Sequence, residues 1–228
     1  MRAPVSIIIP TLNAGAGLPA TLAHLAEGLQ AGLIRELVIS DGGSNDETCA
    51  VAEAAGALVV VGAPGRGGQL ARGVAASGGE WLLVMHADTH LTPGWAEAVL
   101  THLHDKPQAA GYFRLAFRAR GLAPHLVAGW ANLRARVLGL PYGDQGLLVS
   151  RALYDRAGGY PDIPLMEDVA MARALRGQLV QLSATALTSA ERYQAQGWLR
   201  RGGQNLITLA RYMAGSDPAI LAKSYHGR

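Results

Sequence analysis

The sequence predicts an α/β fold in which a mostly parallel central sheet carries helices on both faces. Four short apolar runs, Val5 to Ile9, Leu37 to Ile39, Ala57 to Val61 and Trp81 to Met85, are continuous rather than alternating, as strands buried on both sides are. Helical patterns lie between them, each flanked by Gly, Pro, Asn or Asp. With 228 residues, half of them hydrophobic and only 16% charged, the chain can bury a sizeable core and falls outside the disordered class.

Taken in order, the first half reads β-α-β-α-β-α-β-α. Helices are expected at Leu18 to Leu29, Asn45 to Ala55, Gly67 to Ala76 and Pro93 to His104, one after each strand. Such alternation requires right-handed crossovers and a parallel sheet, the architecture of nucleotide-binding folds, with ligands at the carboxyl ends of the strands. Past residue 108 the rhythm changes. Tyr112, Arg114, Ala116 and Arg118 alternate as a half-exposed strand would, followed by helical patterns at His125 to Leu138, Arg151 to Ala157 and Glu167 to Leu175. Further strands are expected at Gln145 to Ser150 and near Leu179 to Leu182. No linker, repeat or low-complexity segment divides the chain, so residues 1–228 read as one domain with a nucleotide half (1–107) and an acceptor half (108–228).

Charge narrows the partners. The net charge of +3 is too small to imply nucleic acid, although 18 of the 20 basic residues are arginines, whose forks suit phosphates and carboxylates. Cys49 is the single cysteine and can form no internal disulfide; it is expected on an apolar helix face. Glu53, Glu80 and Asp88 interrupt the most hydrophobic stretches, so no segment reaches the ~20 apolar residues a membrane span needs. Met1-Arg2-Ala3-Pro4 runs into the first strand without a small-residue cleavage site, which reads as a mature cytoplasmic start.

Polar or glycine-rich residues follow each of the first four strands, so they converge on one rim: Thr11-Leu12-Asn13, Asp41 to Asp46, Gly62 to Gly68 and His86-Ala87-Asp88-Thr89. A carboxylate ending the second strand can accept hydrogen bonds from a base or ribose, and one ending the fourth can hold a divalent cation against a diphosphate. Asp41-Gly42-Gly43 is equally good turn and N-cap material. Gly65-Arg66-Gly67-Gly68-Gln69 precedes a helix, so it can face an anion or serve as a plain glycine-rich turn. Glu167-Asp168 opens a helix, where acids are stabilised by the macrodipole whatever else they do.

The residues from Val5 to Asn13, Glu36 to Asp46 and Trp81 to Thr89 resemble the opening strands of family 2 glycosyltransferases of the GT-A fold. Pro141 to Gly146 and Pro164 to Asp168 are similar to the subgroup associated with radical-SAM and selenodomain proteins, sometimes linked to arsenosugar biosynthesis. The resemblance implies a transferase that moves a sugar from a UDP- or GDP-sugar to an acceptor hydroxyl, with inversion and a divalent metal, Mn2+ or Mg2+. It places Asp41 on the base, Pro10, Thr11 and Asn13 along base and ribose, Arg66 and Gln69 near the donor, and Asp88 on the metal. His86 stands where the family's DxD motif has its first carboxylate, with Ala87 between, and could ligate a metal or bond the ribose; Gly42 replaces the second Asp of the Asp-Asp-Gly-Ser motif. Imidazole is a softer ligand than carboxylate, so metal affinity would then lean on the donor's phosphates. The acidic pair implies Asp168 as catalytic base with Glu167 beside it, and Gly143, Asp144 and Gln145 as sugar or acceptor contacts. Ser189-Ala190-Glu191-Arg192-Tyr193 keeps only the Arg and an aromatic of the processive QxxRW motif, which puts Arg192 near the diphosphate.

Two other functions compete. Gly15-Ala16-Gly17-Leu18-Pro19-Ala20 satisfies the G-x-G-x-x-A fingerprint of dinucleotide-dependent oxidoreductases, but residues 10–14 intervene between strand and first glycine. The altered metal motif also suits a non-catalytic nucleotide-sugar binder. Arg200-Arg201 and the apolar helix Leu206 to Met213 could meet anionic lipid at the inner membrane face, meet a second subunit in a homodimer, or pack as an ordinary amphipathic helix.

Overall fold

The computed structural model describes residues 3–226. The expectation concerning Met1-Arg2 therefore lies outside the described residues.

Among the described residues eight strands form one sheet. β1 (Val5–Thr11), β2 (Ile34–Asp41), β3 (Leu58–Val61) and β4 (Trp81–Val84) are all parallel. β7 (Leu147–Ser150) then pairs antiparallel to β4 and joins them to β6 (Ala110–Phe117), β8 (Leu179–Thr188) and β5 (His90–Leu91). The order β3-β2-β1-β4-β7-β6-β8-β5 puts β2 and β4 on opposite sides of β1. The chain therefore reverses its winding between β1 and β4, and a crevice opens there at the carboxyl ends of the strands.

The continuity of the apolar runs has its reason in the two cores. Val5, Ile7 and Ile9 of β1, with Trp81, Leu83 and Met85, face the helices of one side, α1 (Leu18–Ala23), α2 (Ala26–Gln30), α3 (Thr48–Ala54) and α5 (Trp95–Asp105). Ile8, Leu82 and Val84 face the other, against α4 (Arg66–Ala76), α7 (Arg151–Arg156) and α8 (Glu167–Ala174). Two smaller clusters knit α6 (Leu122–Leu138), α9 (Glu191–Gln196), α10 (Trp198–Met213) and α8 to the second half of the sheet, and α11 (Pro218–His226) packs on α10.

Several expectations are corrected. The single helix Leu18 to Leu29 is two, because the Trp95 indole donates to the His24 carbonyl and its ring lies where a side chain at Gly28 would be. β6 is buried apart from exposed Arg114 and half-buried Ala116, since β8 pairs along it and α6 packs on it. β8 runs on to Thr188, well past Leu182, and β5, α9 and α11 had no clear signal. Cys49 is half-buried on α3.

Candidate functional site

The rim of the crevice is built by two interlocked loops. Asp41 ends β2 opposite Thr11 and is fully buried. Its carboxylate accepts four hydrogen bonds: from the Thr11 hydroxyl (2.8 Å), the Ser44 hydroxyl (2.6 Å), and the backbone N–H groups of Gly43 (2.8 Å) and Ser44 (2.7 Å). These donors outweigh burial and hold the carboxyl below the ordinary aspartate range. Four bonds exhaust a carboxylate's acceptor sites, so a base contact by Asp41 would require one of these donors to give way. Asn13, at φ 51°, accepts from the Asn45 N–H (2.9 Å) and donates its own N–H to Ser44 (2.8 Å), which locks residues 10–14 onto 42–48. The left-handed backbone is one asparagine tolerates. Asp46 accepts the Gly15 N–H at 3.0 Å, so a carboxylate sits where a dinucleotide fingerprint would hold pyrophosphate.

α4 begins at Arg66, but its glycines do not present an anion cradle. A Cβ on Gly67 would stand 2.2 Å from the Pro161 carbonyl oxygen, and one on Gly68 2.7 Å from Asp162 Oδ1. Their smallness lets residues 161–163 close over the helix start, which delivers α8 to the site. Gln69, expected near the donor, is buried: its amide donates to the Thr11 (2.7 Å) and Ser40 (2.9 Å) carbonyls and accepts from Gly65 (3.2 Å). It clamps the ends of β1 and β2 from beneath.

Arg66 is half-exposed, with Nε 3.5 Å from Glu167 Oε1. Glu167 is only 1% exposed, and burial, then the adjacent Asp168, push its carboxyl up to about 7 against the pull of Arg66. Met166 precedes it at φ 71°, a left-handed conformation strained for a methionine, and this turn aims the acidic pair. Asp168 is half-buried; it accepts the Gly143 N–H (2.8 Å) on one oxygen and the Val169 N–H (2.7 Å) on the other. That bond ties α8 to a turn of 3-10 helix at Gly143–Gln145, where Asp144 is lifted to about 6 by burial and carries an oxygen, Oδ1, without a hydrogen-bond partner. Gln145, expected as a sugar contact, has no exposed surface; its amide bonds the Phe113 carbonyl (3.2 Å) and holds the turn in place.

Across the crevice His86 packs on Gly143, where an added Cβ would lie 2.5 Å from its Nε2. Burial, then the charges of Arg66 and Arg192, hold its imidazole well below the ordinary histidine value, so it is neutral at physiological pH. The Ala87 carbonyl takes the Thr21 hydroxyl. Asp88 projects into the opening within the electrostatic reach of Arg118, Arg192 and Arg66, and Arg118 also donates to the Asp88 carbonyl (2.6 Å). The structure thus brings together Arg66, His86, Asp88, Gly143, Asp144, Glu167, Asp168 and Arg192. Tyr142, inside the Pro141 to Gly146 stretch but given no role there, joins them, and so do three residues the sequence did not mark: Arg118, Arg134, whose guanidinium lies 3.4 Å over the Tyr142 ring, and Tyr225 of α11, which feels Arg66, Arg192 and Asp168 and bonds Arg201. Arg118, Arg134 and Tyr225 come from elements far apart in sequence, with no local motif.

A nucleotide-type crevice ringed by arginines and carboxylates is an arrangement suited to group transfer. The chain belongs to glycosyl transferase family 2, whose model matches residues 6–141, and it is a glycosyltransferase. Its fold resembles glucosyl-3-phosphoglycerate synthase from Mycobacterium tuberculosis, solved with Mn2+, UDP and glucosyl-3-phosphoglycerate, at 22% identity and TM-score 0.54 over 82% of this chain and 70% of that one. It also resembles S. aureus TarS 1–349 in complex with UDP-GlcNAc, at 16% identity and TM-score 0.63 over 81% of this chain and 58% of that one. Among curated proteins no sequence matches significantly. Family membership removes the oxidoreductase and non-catalytic readings, and the fold is the GT-A fold. Among the described residues no helix is long and apolar enough to cross a membrane.

Proposed function

We propose that the chain transfers a sugar from a nucleoside-diphosphate donor, UDP- or GDP-linked, to an acceptor hydroxyl with inversion. The observation that carries this reading is the meeting of Arg66, Arg118 and Arg192 with Asp88, Asp144, Glu167 and Asp168 at the β1/β4 crevice. The solved structures with bound UDP or UDP-GlcNAc support the donor class. Residues 10–13 and the loop shaped by Asp41 receive base and ribose, while Arg66 and Arg192 balance charge on the departing diphosphate. Residues 1–107 serve the donor and 108–228 the acceptor, apart from Arg192, which reaches back to the diphosphate, within one domain.

Asp168 is the base. Each of its oxygens holds one N–H donor and keeps acceptor capacity, and Gly143 fixes its direction. It takes the proton from the acceptor hydroxyl; that oxygen bonds the anomeric carbon while the bond to the diphosphate breaks, its electron pair leaving with the phosphate. Attack opposite the leaving group inverts the carbon. A specific observation favours a second reading, with Asp144 as base: its partnerless oxygen and its value of about 6 suit proton transfer near neutrality.

A divalent metal would draw on few protein ligands here. Among the described residues no three His, Cys, Asp or Glu side chains gather as a complete ligand set, so Asp88 would hold Mn2+ or Mg2+ with phosphate oxygens of the donor, and neutral His86 stands by. The bound metal supplies charge neutralisation at the diphosphate. Likeness at residues 141–146 and 164–168 supports placement in the radical-SAM and selenodomain-associated subgroup. The test is thermal stabilisation by UDP-sugars, GDP-sugars and NAD, each with and without manganese, followed by mass spectrometry of hydrolysed donors. A nucleotide sugar should raise the midpoint and be turned over; NAD alone raising it would overturn the reading.

A further inference from the structure

We infer that the paired helices α6 and α10 dock the protein on an anionic lipid bilayer. Leu122, Leu126, Trp130, Leu133 and Val137 recur at helical spacing along α6 and are 84, 74, 47, 52 and 67% exposed. At 3.6 residues per turn they fill an arc of roughly 80°. On α10, Leu199, Leu206, Ile207 and Met213 are exposed on one face while Thr208 and Leu209 turn inward. The two helices touch and run side by side in the same direction. Trp130 and Leu206 line one pocket between them, and Leu138 and Met213 line a second, about two turns further along each helix. Their exposed apolar residues therefore form one two-helix face, wider than the scattered leucines of an ordinary surface.

Charge decides what covers it. Residues 106–143 and 192–216, which contain both helices, hold half of the chain's 20 Lys and Arg and none of its 17 acids. Arg134 and Arg201 are buried, and Arg201 is engaged with Gln196 and Tyr225, so of the Arg200-Arg201 pair, for which lipid was one of three alternatives, only Arg200 is placed to meet it. Arg120, Arg136, Arg200 and Arg211 are exposed on or beside the two helices, while acids resume only at Asp105, Asp144, Glu191 and Asp217. A second copy of the chain meeting this face about a two-fold axis would set arginines against arginines. An anionic bilayer offers acyl chains to the leucines and headgroup charge to the arginines, as interfacial amphipathic helices require. The inference stands independently of the transfer chemistry.

The test is co-sedimentation of the full chain with phosphatidylcholine vesicles and with vesicles containing phosphatidylglycerol. Binding should be ~10-fold greater on the anionic vesicles and weaken with added salt. Leu126→Glu/Leu133→Glu should reduce it to the phosphatidylcholine level, while Leu58→Glu, an exposed leucine on β3, should leave it unchanged. If the double variant fails to fold by circular dichroism, Arg136→Glu/Arg211→Glu provides the same comparison through charge alone. Trp130 fluorescence should shift blue with anionic vesicles, a shift absent in Trp130→Phe. Equal binding to both vesicle types, full binding by a folded stripe variant, or a solution dimer that the stripe variant dissociates would overturn the inference.

Discussion

Three neighbouring carboxylates at the crevice have different surroundings, and single substitutions should separate their roles. Asp168→Asn is expected to lower transfer by ~10²–10⁴ while donor affinity by calorimetry stays near wild type, since a base acts on the acceptor proton alone. Asp144→Asn should retain most turnover; the reverse pattern would move the base to Asp144. Glu167 gives a stability signature instead. It keeps its proton to about 7 when folded, against an ordinary 4.5, so between those values the folded chain binds more protons than the unfolded one. The stabilisation is complete below the unfolded value and is lost as pH rises through about 7. Asp144, lifted to about 6, acts in the same direction. Glu167→Gln should therefore flatten the decline in urea-unfolding stability from pH ~5 to ~8, removing a pH-dependent component of order 1–3 kcal/mol.

At the scale of elements, the site depends on how closely α4, the 161–163 segment and the two rim loops approach one another. Gly67→Ala places a methyl group 2.2 Å from the Pro161 carbonyl, a clash with backbone rather than with a yielding side-chain end. It should cost about 1–3 kcal/mol and loosen the Arg66–Glu167 pair, reducing transfer along with the thermal midpoint. Gly129→Ala in α6, where nothing lies within 4 Å of the new methyl, should instead stabilise by up to ~1 kcal/mol through helix propensity. Asp41→Ala strips the acceptor from four donors that shape the rim loop. Stability should fall by about 1–3 kcal/mol together with donor affinity, and calorimetry beside thermal melts reads both.

For the whole molecule, the field around the crevice sets how metal and diphosphate share the site. Arg66, Arg118 and Arg192 all act on Asp88, so Asp88→Asn makes the opening more cationic. Manganese-dependent donor binding should fall sharply, while metal-free donor binding is retained or strengthened, and titration with and without chelator distinguishes the two. Should His86→Ala abolish the metal dependence and Asp88→Asn leave it, the ligand is the imidazole.

The alternation of strands and helices in the first half, the rim residues after each strand, and the acidic pair of α8 were all legible in the chain. Each is a local signal: a continuous apolar run records burial on both faces, and a polar residue after it records the strand's end. What surrounds those residues was decided only in three dimensions. Nothing near Gln145 or Gln69 in sequence reveals that their amides are taken by distant carbonyls, and although Gly43 and Ser44 give Asp41 a local turn role, the Thr11 hydroxyl that completes its acceptor set arrives from another strand. The antiparallel entry of β7 beside β4, the return of Tyr225 to the crevice, and the exposure of one apolar stripe of α6 likewise depend on pairings between residues far apart in the chain. Hydrophobic periodicity specifies that a face is apolar; which partner covers that face, or whether any does, is set by long-range packing.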